Sequence, residues 1–245
     1  MKIQISNRVD FLRYFLSPIS KITENATLKI KSGNLSAIVC SSDSSIFLNC
    51  VCCDITTSQD IEVILNVPDI GKLLNAVNSL SCETIEFTIE DKKIKYISDT
   101  ISFKVHLLED GIISTPAVNI DKLKSIDFDC TFNIAYDDLQ TLVKGSTFAT
   151  DTNKVYFEMT GEHVRADLRD VDNEYINNFS TIVSKSSTGT GLKQSTPVTF
   201  EAIRMLLGIK FDNCVVHFSN KVGVFLFDIS NKSYKINYIV SALRR

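Results

Sequence analysis

The chain has 245 residues and a formal net charge of −3, with 44% hydrophobic and 22% charged residues. These values are typical of a globular protein with one large domain or two of ordinary size. They argue against tight, wrapping binding of nucleic acid, although a local basic surface is compatible with them. No apolar run approaches the roughly 20 residues of a membrane-spanning helix, and residues 1–5 alternate like a strand rather than forming a signal-peptide core. We therefore predict a cytoplasmic protein.

The seven cysteines agree with a reducing compartment. Most fall within predicted strands, where a free cysteine behaves as a small apolar residue. Cys50 and Cys53 have C-x-x-C spacing, but no second pair or nearby histidine completes a zinc site. We predict neither a metal nor another cofactor.

One element order recurs four times along the chain: a strand, a helix and three further strands. The second copy is the clearest, with a strand at 61–65, a helix at 67–80 and strands at 84–89, 93–97 and 101–107. The apolar positions of its helix follow the spacing of one buried face. These positions are Ile70, Leu73, Leu74, Val77 and Leu80.

The other three copies are predicted with the same order. Their helices cover residues 7–22, 135–148 and 201–209, and Pro18 is expected to kink or shorten the end of the first. Their strands are predicted at 2–6, 27–31, 35–40 and 46–52, at 127–134, 154–160, 163–169 and 175–183, and at 196–200, 214–219, 223–229 and 234–240.

Residues 109–125 lack a sustained period and contain Asp110-Gly111 and Pro116, which is typical of a connector. We therefore predict an N-terminal domain at 1–108, an interdomain connector at 109–125 and a C-terminal domain at 126–245. Each would be an α+β domain of two β-α-β-β-β units, with two helices packed on antiparallel sheet. Residues 184–195 are predicted to form a mobile loop, in which Gly189 and Gly191 supply flexibility rather than a phosphate site.

This pattern resembles the DNA sliding clamps of the proliferating-cell-nuclear-antigen and tailed-phage type. One local match is residues 37–48, whose Asp43-Ser44-Ser45 is similar to a turn in the first domain of those clamps. The lysine-rich stretch that antigen-type clamps carry late in the first domain is not recognisable. The resemblance implies a processivity factor that encircles duplex DNA, tethers DNA polymerase and is opened by a clamp loader. Because the family's rings contain six domains, it also implies a homotrimer.

A clamp slides by weak attraction to phosphates, without reading bases. The helices should therefore carry basic residues opposite their apolar faces, diluted here by Asp10, Asp137 and Glu201. The alternative is that these are ordinary solvated helix faces. The residues predicted to face DNA are Arg13, Lys21, Lys72, Lys144 and Arg204, with Lys210 after the last helix.

The resemblance also implies a groove beneath the connector, in which partner proteins dock a short apolar peptide. The residues expected to form it are Leu48 near the Asp43 turn, Ile112, Ile113 and Val118 of the connector, and Ile239, Val240 and Ala242 near the last residue of the chain. The alternative is that these side chains pin the connector onto the second domain.

The last strand of the first domain is predicted to be an edge that would aggregate if left exposed. The resemblance implies that it pairs with residues 175–183 of a neighbouring subunit. The alternative is that loops of the same subunit cover one or both edges. The residues expected at this joint are Ile101, Phe103, Val105 and Leu107 on one side, and Ile176, Phe179 and Ile182 on the other.

No catalytic constellation is recognisable, because the three histidines fall in strand patterns without metal or triad spacing. We therefore predict that the protein is not an enzyme. One alternative is a ring- or tube-forming viral assembly protein without DNA threading. A more distant one is a metal-dependent hydrolase that uses Asp167, Asp170 and Asp172.

Overall fold

The computed structural model describes residues 1–90, 92–116, 125–171, 173 and 175–243. The chain divides into two compact units. The first unit comprises Met1–Val118 and Ser230–Ile236, and the second unit comprises Asn119–Ile229 and Asn237–Arg245. Within the described residues, no helix combines the length and the apolar character needed to cross a membrane.

The predicted element order is confirmed, with two short strands, β5 and β14, in addition. The helices are α1 at residues 8–22, α2 at Ile70–Asn78, α3 at Tyr136–Gly145 and α4 at Phe200–Leu206. The strands of the first two repeats are β1 Lys2–Ile5, β2 Ala26–Lys31, β3 Asn34–Cys40, β4 Ile46–Cys52, β5 Ile55–Thr57, β6 Val63–Val67, β7 Ile85–Glu90, β8 Lys93–Ile97 and β9 Ser102–His106. Those of the last two are β10 Cys130–Ile134, β11 Lys154–Thr160, β12 His163–Leu168, β13 Phe179–Ser184, β14 Ser187–Gly189, β15 Thr196–Thr199, β16 Cys214–Ser219, β17 Val224–Ser230 and β18 Tyr234–Ser241.

The two repeats of the first unit are interlocked. The first strand of one repeat pairs with a strand of the other, so that Ile3 of β1 lies opposite Phe87 of β7. One sheet has the order β5-β1-β7-β8-β9, and four further strands follow one another as β4-β3-β2-β6. All described pairings are antiparallel, which confirms the predicted α+β class.

The second unit repeats this topology. Its β10 pairs with β16, with Phe132 opposite Val216, and the two strand sets run β14-β10-β16-β17 and β13-β12-β11-β15. Chain order therefore makes β13 the counterpart of β4, and β18 the counterpart of β9.

Each described helix buries an apolar face, and α1 and α2 also have a side-chain N-cap. Asp69 caps α2, because its carboxylate accepts a hydrogen bond of 2.8 Å from the Lys72 backbone N–H. Leu139 and Leu142 are buried on α3, whose last residue, Gly145, faces the ring of Phe179. A Cβ at Gly145 would lie 2.2 Å from that ring, so the strand packs against the helix only because the residue is glycine.

Pro18 does not shorten α1, contrary to the sequence prediction. The helix runs as Arg8–Phe11, a π-helical segment at Leu12–Leu16 and an α-helical segment at Ser17–Ile22. Pro18 falls in the first turn of the last segment, where its missing N–H costs little. The wider π turn directly before it is the irregularity that accommodates the proline.

Residues 184–195 are not a mobile loop. They contain β14, which pairs with β10, and Leu192 is fully buried. Gly189 has φ +90°, and a Cβ there would lie 2.0 Å from the Asp129 carbonyl oxygen. The glycine therefore permits a close backbone approach, which is a packing role that the sequence prediction missed.

Candidate functional site

All six residues predicted to face DNA are exposed, as such a role requires. Two of them are paired with a carboxylate on the same helix. Lys72 Nζ lies 3.1 Å from Asp69 Oδ2, and an Arg204 guanidinium nitrogen lies 3.6 Å from Glu201 Oε2. The hydrogen bond from the Lys72 backbone N–H, with the ammonium group second, lowers the pKa of Asp69 and keeps this pair charged.

Two of the other predicted basic residues have neutral neighbours. Lys144 Nζ donates a hydrogen bond of 2.9 Å to Gln140 Oε1, and the Arg13 guanidinium lies 5.9 Å from the centre of the Tyr14 ring. The helices α2 and α4 therefore present partly neutralised cations, whereas α1 and α3 present cations without such compensation at these two positions.

Strand β9 is the edge of its sheet within the described residues, as predicted. Phe103 and Val105 are half-buried, and Phe103 stacks on Tyr96 with ring centres 5.5 Å apart. Ile101 and Leu107 flank the strand and are also half-buried. A cavity of about 480 Å³ beside this edge is lined in part by Pro68, Ala76, Phe103 and Val105.

Strand β13 is an edge of its sheet within the same residues, but it begins at Phe179 rather than at residue 175. Ile176 consequently lies before the strand, whereas Phe179 packs on Gly145 and Ile182 is 49% exposed. The sequence prediction missed Phe148, which follows α3 and is 59% exposed. Phe148 lies off the apolar face of the predicted helix, and this position in the sequence indicates that its side chain is exposed.

Three residues predicted for the docking groove are in the core instead. Leu48 is fully buried, and Ile239 and Val240 are 5% and 1% exposed, so their side chains offer almost no surface to a docked peptide in this structure. Val118 lies outside the described residues. Ile112 is 65% exposed, and Ile113 lines a small cavity with Ile38, Cys40 and Pro116 in the first unit.

The remaining groove residue, Ala242, borders a cavity of about 650 Å³ that lies wholly within the second unit. We call this cavity the C-terminal pocket. Its apolar lining comes from Pro197, Phe218, Val222, Ala242 and Leu243, and Val222 is 54% exposed. The residues predicted for the docking groove include Ala242 but not Val222, which is a single apolar residue in a polar turn.

The Asp43 turn joins β3 to β4. The Asp43 carboxylate accepts hydrogen bonds from the hydroxyl of Ser41 at 2.6 Å and from the backbone and hydroxyl of Ser45 at 3.1 and 2.8 Å. The Ser41 bond is the main reason that the pKa of Asp43 is below its usual value.

The acidic residues considered for a hydrolase do not form a metal site among the described residues. Asp167 is buried in β12, where it accepts a hydrogen bond from the Ser180 hydroxyl and lies 3.3 Å from Arg165 Nε. Asp170 follows that strand, and Asp172 lies outside the described residues.

No protein-family model and no curated protein sequence matches the chain. Solved structures match it over nearly its whole length. The proliferating cellular nuclear antigen of Entamoeba histolytica matches with a TM-score of 0.79 and 9% identity, over 99% of this chain and 98% of that one. The PCNA of A. fulgidus, bound to the C-terminal region of FEN-1, gives 0.77 and 12%, over 100% and 98%. The DNA polymerase sliding clamp of Bacillus subtilis gives 0.74 and 14%, over 100% and 64%. At these identities the likeness shows the fold alone, and that fold is the sliding-clamp fold.

Proposed function

We propose that this chain is the subunit of a sliding clamp, a ring that encircles duplex DNA and tethers DNA polymerase and other replication proteins. The fold supports this proposal, and so does a pattern in the edge strands. The ring would act as a scaffold without bond-breaking chemistry, in the cytoplasm or, for a viral protein, in the viral replication compartment.

The observation that carries the proposal concerns β4. In the first unit, the beginning of β18 lies beside β4, and the Cys53 backbone N–H donates to the Ser233 carbonyl at 2.7 Å. The counterparts of this pair are β13 and β9. Both are edges within the described residues, so a β9–β13 pair between two copies would repeat a junction that the chain already makes once.

The other edges are less available for pairing. The outer strands β5 and β14 have only three residues each. The edge of β6 is partly occupied, because the Leu108 N–H donates to the Asn66 carbonyl at 2.8 Å, and Leu243 bonds Pro197 of β15 at the same distance. A head-to-tail joint through β9 and β13 is heterologous, so it must close into a ring or grow without limit.

Three chains complete a ring in this proposal, because the family's rings contain six domains and each chain contributes two. Exposed basic side chains would give the weak, sequence-independent attraction to DNA phosphates that sliding requires. They are Arg13, Lys21 and Lys144, with Lys72 and Arg204, whose charges are partly neutralised. Lys210 is exposed just after α4 and belongs to the same set.

Partner proteins would dock at the C-terminal pocket. Its volume of about 650 Å³ suits a side chain or two of a short peptide, and its exposed Val222 and half-buried Ala242 offer apolar contact. Polymerase and clamp loader are the partners that the proposal implies.

Solution mass measured by light scattering over a concentration series tests the ring directly. We expect a species of about three times the 27.4 kDa chain that does not grow further with concentration. The same sample should then be retained on circular but not on linear duplex DNA after loading. A monomer at every concentration would contradict a ring that is stable alone.

A second candidate is a structural assembly protein. The same open edges β9 and β13 favour it if the rotation between copies does not close. Its signature in the scattering experiment is a mass that rises continuously with concentration.

A further inference from the structure

Strands β8 and β9 carry basic residues on one face of their sheet. Lys95 of β8 lies directly opposite Lys104 of β9, and Lys93 lies directly opposite His106. Lys104 and His106 are exposed, and the two lysines of β8 are half-buried. The other face of these strands is apolar, with Ile94 only 4% exposed. We call the side that carries Lys93, Lys95, Lys104 and His106 the lysine face.

Few carboxylates neutralise this face. Glu90 forms an ion pair with Lys95, with 2.5 Å between its carboxylate oxygen and the ammonium nitrogen. Within the described residues, neither Lys93 nor Lys104 forms an ion pair. Like charges directly opposite each other on neighbouring strands destabilise a sheet, so this arrangement does not serve the stability of the chain. It suits a partner that supplies negative charge.

Protection of a sheet edge explains only part of the lysine face. Lysines on an edge strand oppose aggregation, and Lys104 stands on β9, which is an edge within the described residues. Lys93 and Lys95, however, are on β8, which has β7 on one side and β9 on the other. An interior strand needs no such protection, so these two lysines require another explanation.

The fold itself does not demand lysines at these positions. The hairpins β8–β9 and β17–β18 have equivalent turns, because the N–H groups of Ser98 and Asn231 each donate to the carbonyl three residues later, at 2.9 Å. Counted from these turns, the positions of Lys93, Lys95, Lys104 and His106 are taken in the β17–β18 hairpin by Leu226, Asp228, Asn237 and Ile239. The same hairpin therefore forms without a basic face.

We propose that the lysine face binds the phosphate backbone of duplex nucleic acid. This inference goes beyond the proposed function, because the contact is separate from the helix residues assigned to DNA above. Alternate residues of a strand are about 7 Å apart and directly opposed residues about 5 Å apart. The face thus presents a grid of cations, which matches a polyanion with repeated charges better than a single anion. Such contacts position a duplex without reading its sequence.

The lysine face offers little to an acidic peptide or to a single strand. Docked peptides depend on apolar anchors, and single-strand binding depends on aromatic side chains on which bases stack. The rings of Phe87, Tyr96 and Phe103 contact one another on the opposite face of the sheet. Among the described residues of β8 and β9, only Ile97 gives the lysine face an exposed apolar side chain, and it stands at the end of β8.

The test measures binding of the full-length protein to a short, labelled linear duplex by fluorescence anisotropy at several salt concentrations. Lys93→Ala combined with Lys95→Ala should lower the slope of log affinity against log salt by about 1 to 2, since each lost phosphate contact removes about 1. The matched control is Lys29→Ala combined with Lys31→Ala. These lysines have the same spacing on β2 but lie 3.6 and 3.0 Å from Glu62, so the slope should not change.

An unchanged slope in the β8 variant, or an equal drop in the control, would overturn the inference. So would tighter binding, at equal salt, of a polyglutamate peptide or of phosphatidylserine vesicles, which would assign the lysine face to a different partner. Light scattering on the same samples separates this result from the proposed function, because Lys93 and Lys95 lie on neither β9 nor β13. A drop in slope found in a protein that forms no ring would uphold the lysine face and overturn the clamp.

Discussion

The two units share one topology but differ in whether their equivalent strands β4 and β13 are paired on both sides. In the first unit, β4 is covered by the chain itself, and Glu109 and Asp110, which follow β9, contact Lys92 and Asn66. In the second unit, the counterpart strand β13 is an edge among the described residues. Because the fold is repeated, one chain contains the paired strands β4 and β18 and also the edge strands β9 and β13, which would pair in the same way between two molecules.

The largest effect on assembly is expected from substitutions in the open edge strands β9 and β13. Phe103→Asp on β9 and Ile182→Asp on β13 each place a charge in the proposed joint, where burial without a partner costs several kcal/mol. Both variants should run as monomers in light scattering at micromolar concentration. Ile61→Asp alters an equally exposed side chain outside the two edge strands and should keep the wild-type mass. Assembly of both edge variants would show that the joint lies elsewhere.

Alanine substitutions at one helix glycine in each unit test how tightly each helix packs. Gly145→Ala should cost about 1–3 kcal/mol, because the added methyl group must displace the ring of Phe179. Gly71→Ala in α2 should instead change stability by less than about 1 kcal/mol in either direction, since its Cβ would meet a single atom, Asp69 Oδ1, at 3.3 Å. Urea unfolding midpoints measure both changes. Equal effects of the two substitutions would contradict the assigned contact of α3 with β13.

Some of the predicted DNA-facing lysines and arginines form an ion pair with a carboxylate and others do not. This difference predicts that their substitution has unequal effects on DNA binding. Lys144→Ala should lower the slope of log affinity against log salt by about 1 for each phosphate that the lysine no longer neutralises. Lys72→Ala should lower the slope by less, because Asp69 already neutralises Lys72 in part. Asp69→Asn keeps a capping side chain but removes the charge, so it should strengthen retention. Binding to a nicked circular duplex at several salt concentrations gives the slopes. If Lys72→Glu combined with Lys144→Glu leaves retention unchanged, these helices do not face DNA.

The smallest effect on stability is expected in the turn that joins β3 to β4. This turn is shorter than the equivalent connection between β12 and β13. Hydrogen bonds from Ser41 and Ser45 lower the pKa of Asp43 from its ordinary value of 3.8. A lowered folded-state pKa means stability that is present above about pH 4 and is lost as pH falls through that lower pKa. Asp43→Asn should therefore cost at most about 0.5 kcal/mol near neutral pH, because the carboxylate is exposed, and the difference from wild type should shrink as the pH falls through the lowered pKa of Asp43. A difference independent of pH would contradict this assignment.

Much of the fold could be predicted because a strand, a helix and three strands recur with clear periods. The edge position of β9 was predicted because it is the last strand of the first domain, whereas that of residues 175–183 was implied only by the family resemblance. Burial in β18 was not, because Ile239 and Val240 are adjacent and both are buried. A strand covered on both faces has no alternation from which an exposed side can be read.

The candidate sites were harder to predict because they depend on contacts between distant residues. Gly145 at the end of a helix is typical of an ordinary cap, and nothing local indicates that Phe179 packs on it. Gly189 and Gly191 likewise indicate loop flexibility, although their role is set by Asp129, about 60 residues earlier in sequence. The C-terminal pocket combines two turns and the end of β18, which no single window of sequence contains.

The interlocked repeats have a consequence for how the chain folds during synthesis. Lys2 of β1 pairs with Thr88 of β7, and Cys130 of β10 with Phe218 of β16, so neither unit can complete its sheet from one repeat. A ribosome must release most of a unit before its first strand finds its longer partner, because within the same repeat that strand pairs only with the three-residue β5 or β14. Such non-local pairing gives a high contact order and folding times of milliseconds to seconds. During that interval β1 and β10 each have one open side, so a chain truncated after one repeat should be recovered as an aggregate rather than as a half-sized domain.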